Sequence, residues 1–541
     1  MKLKTFLTII VTACLLSAVI WPSLVTRVKA ESTTIYVNVQ NANDPAQDGS
    51  AAHPFSSIQD GVDAANPGDT VQVAAGVYYG EVDINESYIS LVGQPGSTII
   101  DGNGTGAVGI RVYHWSPNYT EYTNISGFTV RNFIRGMTLS RSIGLRLRDN
   151  TLVNNTYNFG DYTLQVHDID TSNTVNGKPI YFLANQQDEQ VPADAGYVEL
   201  VDCTNMTVKD LNLTNNAQGL VLKNTTNSLV ENLQITNDWD GLYLETQSKG
   251  NTIIDNNVSN CLYLGIYVST SSDNTFENNS ITNNAYGFFL DSTVFDYVIG
   301  FQPTGNTVTG NVMWGNTVAN CSTAGVYSLE AENNLFYDNN FINNSPEVYS
   351  LNSTNVWDNG VEGNYWTDYS GQNSNQTGLG NTPYVIDENN TDNHPLMGPF
   401  LEFPATWQDG TYPVTAISNS TVSGFYFSQS EKTLGFSVSP TADNGTGFCR
   451  VAVPVYLLGG PFTLFIDGLP STNLLQSSNG TYSFLYLSFN DSHHDVKIEG
   501  TNVVSEFPTF FLLILLAVVT IGVVTVGVAF RRKKFVPALF G

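Results

Sequence analysis

Basic residues are scarce in this chain: 21 lysines and arginines stand against 49 acidic residues, for a formal net charge of −28. That excludes a nucleic-acid partner, because holding a polyphosphate takes a clustered basic footprint. The acids are spread along the chain, so most of the charge is a solvated surface suited to solubility, cations or high salt. Histidine and methionine are also rare, six and five in 541 residues. Only His493-His494-Asp495 clusters, whereas a transition-metal site needs converging imidazole or sulfur ligands. Of five cysteines, Cys14 lies in an apolar leader and Cys449 stands alone. Cys261 and Cys321 share a repeat position two repeats apart, about 9–10 Å in a regular stack and beyond the Cα limit of about 7 Å for a disulfide. They, like Cys203, are expected to be buried thiols. No Leu-x-x-Leu-x-Leu frame with a helical return is present, so a leucine-rich horseshoe is excluded.

What the chain does contain is a repeat of roughly 22 residues between Gly219 and Ser350. Its rungs open Gly219-Leu-Val-Leu, Gly241-Leu-Tyr-Leu, Gly265-Ile-Tyr-Val, Gly287-Phe-Phe-Leu and Gly325-Val-Tyr-Ser. Asparagines five apart accompany them, Asn227/Asn232, Asn251/Asn256, Asn274/Asn279, Asn311/Asn316 and Asn334/Asn339. Apolar residues at the first and third positions after each glycine give the two-residue period of a strand. The gaps are filled by turn formers that make poor helices. The reading is an all-β chain built on a right-handed parallel β-helix, with strands stacked about 4.8 Å apart and asparagines bonded in columns at the turns. Weaker rungs at Gly109, Gly127 and Gly136 extend it upstream, and Tyr197-Val-Glu-Leu re-enters it after a long excursion near Gly160–Gly196. A second excursion covers about Val294–Gly310. Near the start, Ile58, Val62 and Ala65 at helical spacing imply a short helix plugging the open end of the stack.

The stretch Phe55-Ser-Ser-Ile-Gln-Asp-Gly-Val-Asp-Ala-Ala-Asn-Pro-Gly-Asp-Thr-Val-Gln-Val-Ala-Ala-Gly-Val-Tyr78 resembles the cap and first coil of pectin-lyase-like β-helix proteins. Asp170–Tyr181, Asn359-Gly-Val-Glu-Gly-Asn-Tyr-Trp-Thr-Asp-Tyr369 and Asn381-Thr-Pro-Tyr-Val-Ile-Asp387 resemble the NosD-like branch of carbohydrate-binding and sugar-hydrolysis proteins, of the archaeal cell-surface type. The resemblance covers about Ile35–Phe400 and implies the fold, not an activity. Copper is the namesake association of that branch, and the scattered histidines give it little to bind. Gln372–Asn381, where relatives carry a calcium-like loop, has no carboxylate, leaving Asp387, Glu388 and Asp392 for at most a weak cation. No dedicated metal or other cofactor is expected.

Residues 1–30 read as a secretory signal and 31–403 as the β-helix, with its N-terminal cap at about 31–80. Six strand-like runs between Thr421 and Ile498 read as a β-sandwich stalk over 404–502. Residues 507–530 are long enough to span a bilayer, and the basic Arg531–Lys534 keeps the tail 531–541 cytoplasmic. The bulk of the chain would then be extracellular on a single-pass anchor. Nineteen Asn-x-Ser/Thr sequons fit a glycosylated surface protein, although an Asn/Ser/Thr-rich repeat generates some by chance.

Two constellations carry chemistry. The second residue after each rung glycine is expected to face outward, giving Val221, Tyr243, Tyr267, Phe289, Tyr327 and then Tyr349. Such an aromatic stripe, with Asp291 among the polar residues beside it, would bind sugar rings, unless the aromatics ladder for stability alone. Asp238 and Asp240 at a turn, with Glu245 beyond the next strand, are the best carboxylates for glycosidic hydrolysis, which needs two of them roughly 5–10 Å apart. Turn aspartates equally serve local hydrogen bonding. The functional expectation is carbohydrate binding or display at the envelope. A polysaccharide hydrolase or lyase and a purely structural envelope protein remain the alternatives.

Overall fold

The computed structural model describes residues 32–501, apart from 115–117, 297–299, 304–306, 408–409, 441–445 and 491. The expected signal, the 507–530 span and the basic tail lie outside the described residues. Among the described residues no helix is long and apolar enough to cross a membrane. The chain divides into two compact units. One comprises Asn251 and everything before it together with Asn256–Ser271; the other comprises Thr252–Asp255 and everything from Ser272 onward.

The first unit is a parallel β-helix. One of its sheets pairs Tyr197–Val201, Gln218–Lys223, Asp240–Glu245 and Leu264–Ser269 in register, so that Leu220, Leu242 and Ile266 form one column and Leu222, Leu244 and Val268 the next. All six are fully buried. A second sheet stacks Asn212–Thr214, Gln234–Thr236 and Asn257–Ser259. The rung glycines are required by close approach. A Cβ on Gly241 would lie 2.3 Å from the Gly265 carbonyl oxygen and 2.4 Å from Val258 Cγ1. At the start, helix Ile58–Asp63, capped by Ser57, buries Ile58 and Val62, as its spacing predicts. The long excursion contains a hairpin, Thr174–Val175 against Lys178–Ala184.

The second unit holds three parallel sheets. Two of them run Thr275–Glu277, Val312–Trp314, Glu332–Tyr337 and Ser280–Thr282, Thr317–Ala319, Asn340–Ile342. Phe276, Met313 and Phe336 form one fully buried column, and Ile281, Val318 and Phe341 another. The excursion after Asp291 is a hairpin, Thr293–Asp296 against Gly300–Pro303.

Asparagine ladders join the turns. Asn274, Asn311 and Asn334 donate from Nδ2 to Oδ1 of the next residue, through Asn355, at 2.9–3.0 Å. Asn279, Asn316 and Asn339 do the same through Asn364 at 2.9 Å. The columns finish on the C-terminal loop. Asn390 Oδ1 accepts from the Asn355 N–H and Trp357 Nε1, and Asp392 Oδ2 from the Asn364 N–H and Trp366 Nε1. Trp366 also stacks between Phe341 and Tyr384, closing the apolar interior.

One expected ladder register is corrected. Asn227 and Asn232 are left-handed turn residues, at φ 51° and 53°. The ladder positions of that coil are Ser228 and Leu233, whose N–H groups donate to Asn251 and Asn256 Oδ1. Each ladder residue from Ser228 to Asn339 follows a left-handed residue, so asparagine is favoured at two adjacent positions for different reasons.

Beyond the coils, ten antiparallel strands form two five-stranded sheets sharing one core that includes Val414, Val451, Leu485, Leu434, Val496 and Leu464. This sandwich begins at Phe400, four residues before the expected boundary, and includes Phe400–Trp407 and Gly410–Ser418, which the sequence pattern did not mark. Cys203, Cys261, Cys321 and Cys449 are buried free thiols.

Candidate functional site

In the second unit, Phe289, Tyr327 and Tyr349 are register partners on the outward side of Tyr286–Asp291, Ala324–Leu329 and Val348–Leu351. Their rings stack at 4.5 Å and 5.0 Å between centroids, with interplanar angles of 18° and 14°. Tyr286 meets Phe289 and Tyr327 edge-on at 5.2 and 5.5 Å. Tyr286, Phe289 and Tyr327 are half-buried and Tyr349 is 45% exposed. The broad faces expected to meet sugar rings are therefore largely turned on one another. Asp291 is buried and caps the following turn, accepting from the Thr293 N–H and hydroxyl at 2.8 and 2.6 Å.

The first unit departs from the expected display. Val221, Tyr243 and Tyr267 share an outward column, but Val221 is buried and Tyr243 only 9% exposed. Tyr243 donates its hydroxyl to Asp240 Oδ2 at 2.9 Å and packs edge-on against Tyr267 at 4.8 Å. Burial drives its phenol well above the ordinary range. The cover is the segment 157–167. Phe159 O accepts from the Ala217 N–H, and Tyr157 packs edge-on against Trp239.

Asp238 is fully buried at a ladder position, where its Oδ1 accepts from the Asn216 N–H at 2.6 Å. Burial pushes its carboxyl far up, and Oδ2 has no hydrogen-bond partner among the described residues. Asp238 thus stands where the preceding coil places Asn216 and the following one Cys261. Asp240 is buried as well, accepting from Tyr243 and from the Leu264 N–H, with its carboxyl pushed up to about 7 chiefly by burial. Glu245 is half-buried opposite Lys223, with its carboxyl raised by burial against the opposing pull of Lys223.

Beside these acids lies an ionic cluster that the sequence pattern did not assemble. Lys223, 2% exposed, places Nζ 2.6 Å from Glu199 Oε1 and 3.9 Å from Asp161 Oδ2. Tyr197 donates to Glu199 Oε2 at 3.0 Å. Burial and Asp161 push Glu199 up to about 8. His167 accepts the Leu145 N–H on Nδ1 at 3.2 Å, which places its proton on Nε2, 3.6 Å from Asp161 Oδ2. Burial lowers this histidine, so it stays neutral. Outward positions on the Tyr197 and Gly219 rungs point to Glu199 and Lys223. Asp161 and His167 lie one 22-residue repeat after Leu139 and Leu145, but the period does not encode which outward side chains of other rungs they meet.

His53, His167, His394, His493 and His494 each face an aspartate, at 2.8–3.9 Å. No group of three or more His, Cys, Asp or Glu side chains is arranged for a metal among the described residues. Asp387 binds Asn390 Nδ2 and the Asn389 N–H, Asp392 is buried as a ladder terminus, and Glu388 is exposed.

Residues 172–371 match the family described as "Periplasmic copper-binding protein (NosD)". No curated protein matches the chain. Similar solved structures include the A-module of the Azotobacter vinelandii mannuronan C-5 epimerase AlgE6, at 16% identity over 60% of this chain and 98% of that one, TM-score 0.26. An alginate lyase from Paenibacillus sp. is 11% identical over 59% and 99% of the chains, TM-score 0.21. The pectate lyase Pel9A is 14% identical over 61% and 80%, TM-score 0.21. Likenesses this remote do not bear on activity. The family match and the stacked parallel coils agree: over residues 172–371 this chain is similar to the NosD family and winds as a parallel β-helix.

Proposed function

We propose that the chain is an envelope protein, displayed outside the cytoplasm, that binds a polysaccharide along the aromatic patch of its second unit without cleaving it. One observation carries the reading: Tyr286, Phe289, Tyr327 and Tyr349 form a contiguous, partly exposed cluster. Because the rings stack, solvent meets their edges, their hydroxyls and the outer face of Tyr349. That combination of apolar area and polar tip suits a sugar ring. The rungs rise about 4.8 Å each, close to one sugar residue of an extended glycan, so a chain lying along the coil axis would meet one ring per residue. Anchoring through residues 507–530 belongs to the same proposal.

The test is a panel of immobilised polysaccharides scored for both retention and cleavage. Tyr349→Ala is expected to weaken binding about tenfold, the equivalent of about 1.4 kcal/mol. Retention unaffected by Tyr349→Ala and Tyr327→Ala would remove the patch from the reading. New reducing ends or unsaturated products would favour a hydrolase or lyase, and no retention on any polymer a structural envelope role.

A further inference from the structure

We infer that Lys223 and Asp161 condense into an intramolecular amide that ties the 157–167 segment covalently to the coil. The parts required are at hand in a dry site. The Lys223, Asp161 and Glu199 side chains are 0–2% exposed, and Phe159 and Tyr197 pack beside them, with ring centroids 4.9 Å apart. Nζ lies 3.9 Å from Asp161 Oδ2 and 3.4 Å from its main-chain oxygen. A near-attack separation of about 3–3.5 Å is within a small rotamer adjustment. The two oxygens of Asp161 are differentiated. Oδ1 accepts the Thr163 N–H at 2.8 Å, whereas Oδ2 has no hydrogen-bond partner among the described residues and faces Nζ and His167 Nε2.

The step balances without a co-reactant. Glu199, as its carboxylate, takes a proton from the Lys223 ammonium, freeing the nitrogen lone pair. Nζ bonds to Asp161 Cγ, and the negative charge that develops on Oδ1 meets the Thr163 N–H, a donor of the oxyanion-hole kind. The Cγ–Oδ2 bond then breaks, and both protons lost by nitrogen end on Oδ2, carried by Glu199, so that Oδ2 leaves as water. Glu199 is returned unchanged. His167 Nε2, which bonds to Thr163 Oγ1 at 3.0 Å, lies 3.6 Å from Oδ2. An ammonium and a carboxylate become one neutral amide, which removes two charges from a place where each is costly to bury. Two acidic side chains face the one amine here, so Glu199 can relay protons while Asp161 supplies the acyl carbon.

The experiment is mass spectrometry of a tryptic digest of the full-length protein. The expected result is that the peptide containing Asp161 is joined to the one containing Lys223, lighter than their sum by one water, with cleavage after Lys223 lost. Lys223→Met should yield no such species. Glu199→Gln should fold, judged by its circular dichroism, yet link at least tenfold less in the same time. A wild type that releases Lys223 as a free peptide terminus in full yield would overturn the inference. An equally linked Glu199→Gln would overturn the part given to Glu199.

Discussion

Asn333 and Asn334 are adjacent asparagines in one turn, and the structure assigns them opposite consequences. Asn334 is fully buried. Its Oδ1 accepts from the Asn311 N–H at 3.1 Å and from Asn311 Nδ2 at 2.9 Å, and its own Nδ2 donates to Val308 O and Asn355 Oδ1 at 2.9 Å. Asn334→Ala strands the Asn311 N–H and the Val308 carbonyl away from water. An unmet buried group costs about 1–3 kcal/mol, and with the small void the loss is expected at about 3–5 kcal/mol. Asn333 is exposed at φ 57° and does no ladder work. Asn333→Ala should cost about 1–2 kcal/mol from the left-handed backbone alone, and Asn333→Gly close to nothing. Stability in stacked repeats is partly local, so the assay pairs urea unfolding with amide exchange at Asn311, whose protection should collapse only in Asn334→Ala. Equal losses for Asn333→Ala and Asn334→Ala, or a loss under about 1 kcal/mol at Asn334, would refute the ladder argument.

Asp240 gives a pH signature. Folded, it keeps its proton up to about pH 7, while the unfolded chain releases it near 3.8. The native state therefore binds more protons in that window, and stability falls as pH rises through it, by on the order of 4 kcal/mol for this group. Asp240→Asn should flatten that fall; denaturation midpoints at pH 4 and 8 that shift as in the wild type would count against it. Trp366→Phe keeps the stack on Phe341 and Tyr384 but removes the donor 2.9 Å from Asp392 Oδ2. It should cost about 1–3 kcal/mol and speed limited proteolysis near residue 384. Gly241→Ala drives a methyl against the Gly265 carbonyl oxygen, and an expected loss of about 1–3 kcal/mol is read as a lower melting temperature. At the aromatic patch, Tyr349→Ala should lower polysaccharide retention while leaving the melting temperature close to the wild type's.

The coil was legible because its constraints repeat. Glycine at each rung reflects a carbonyl that leaves no room for a Cβ, and Leu220, Leu242 and Ile266 alternate with outward residues because one face must be dry. The ladder register was misread at Asn227 because left-handed turns and amide columns favour the same residue side by side. Tyr243 was read as displayed because a two-residue period fixes which face a side chain leaves by, not what lies over that face. The cover comes from a segment some eighty residues upstream, whose strand Tyr157–Asp161 pairs parallel with residues 135–139 one repeat earlier. The same gap hid Asp161 and His167 from Lys223. Phe400–Trp407 and Gly410–Ser418 escaped because they follow directly on the irregular end of the coil.

The amide columns of the second unit have a polarity. Every Nδ2 from Asn274 to Asn339 points toward the following rung and every Oδ1 toward the preceding one, so the bond dipoles add head to tail. Their positive poles lie at the C-terminal loop, and the group that meets one of them there is a carboxylate, Asp392. The arrangement parallels an anion at the first turn of an α-helix. Inserting a whole coil would lengthen both columns without changing their sense, whereas reversing a single amide would set two like ends against each other. A solenoid wired this way can grow or shrink by rungs, but it has only one end that can be closed by a negative charge.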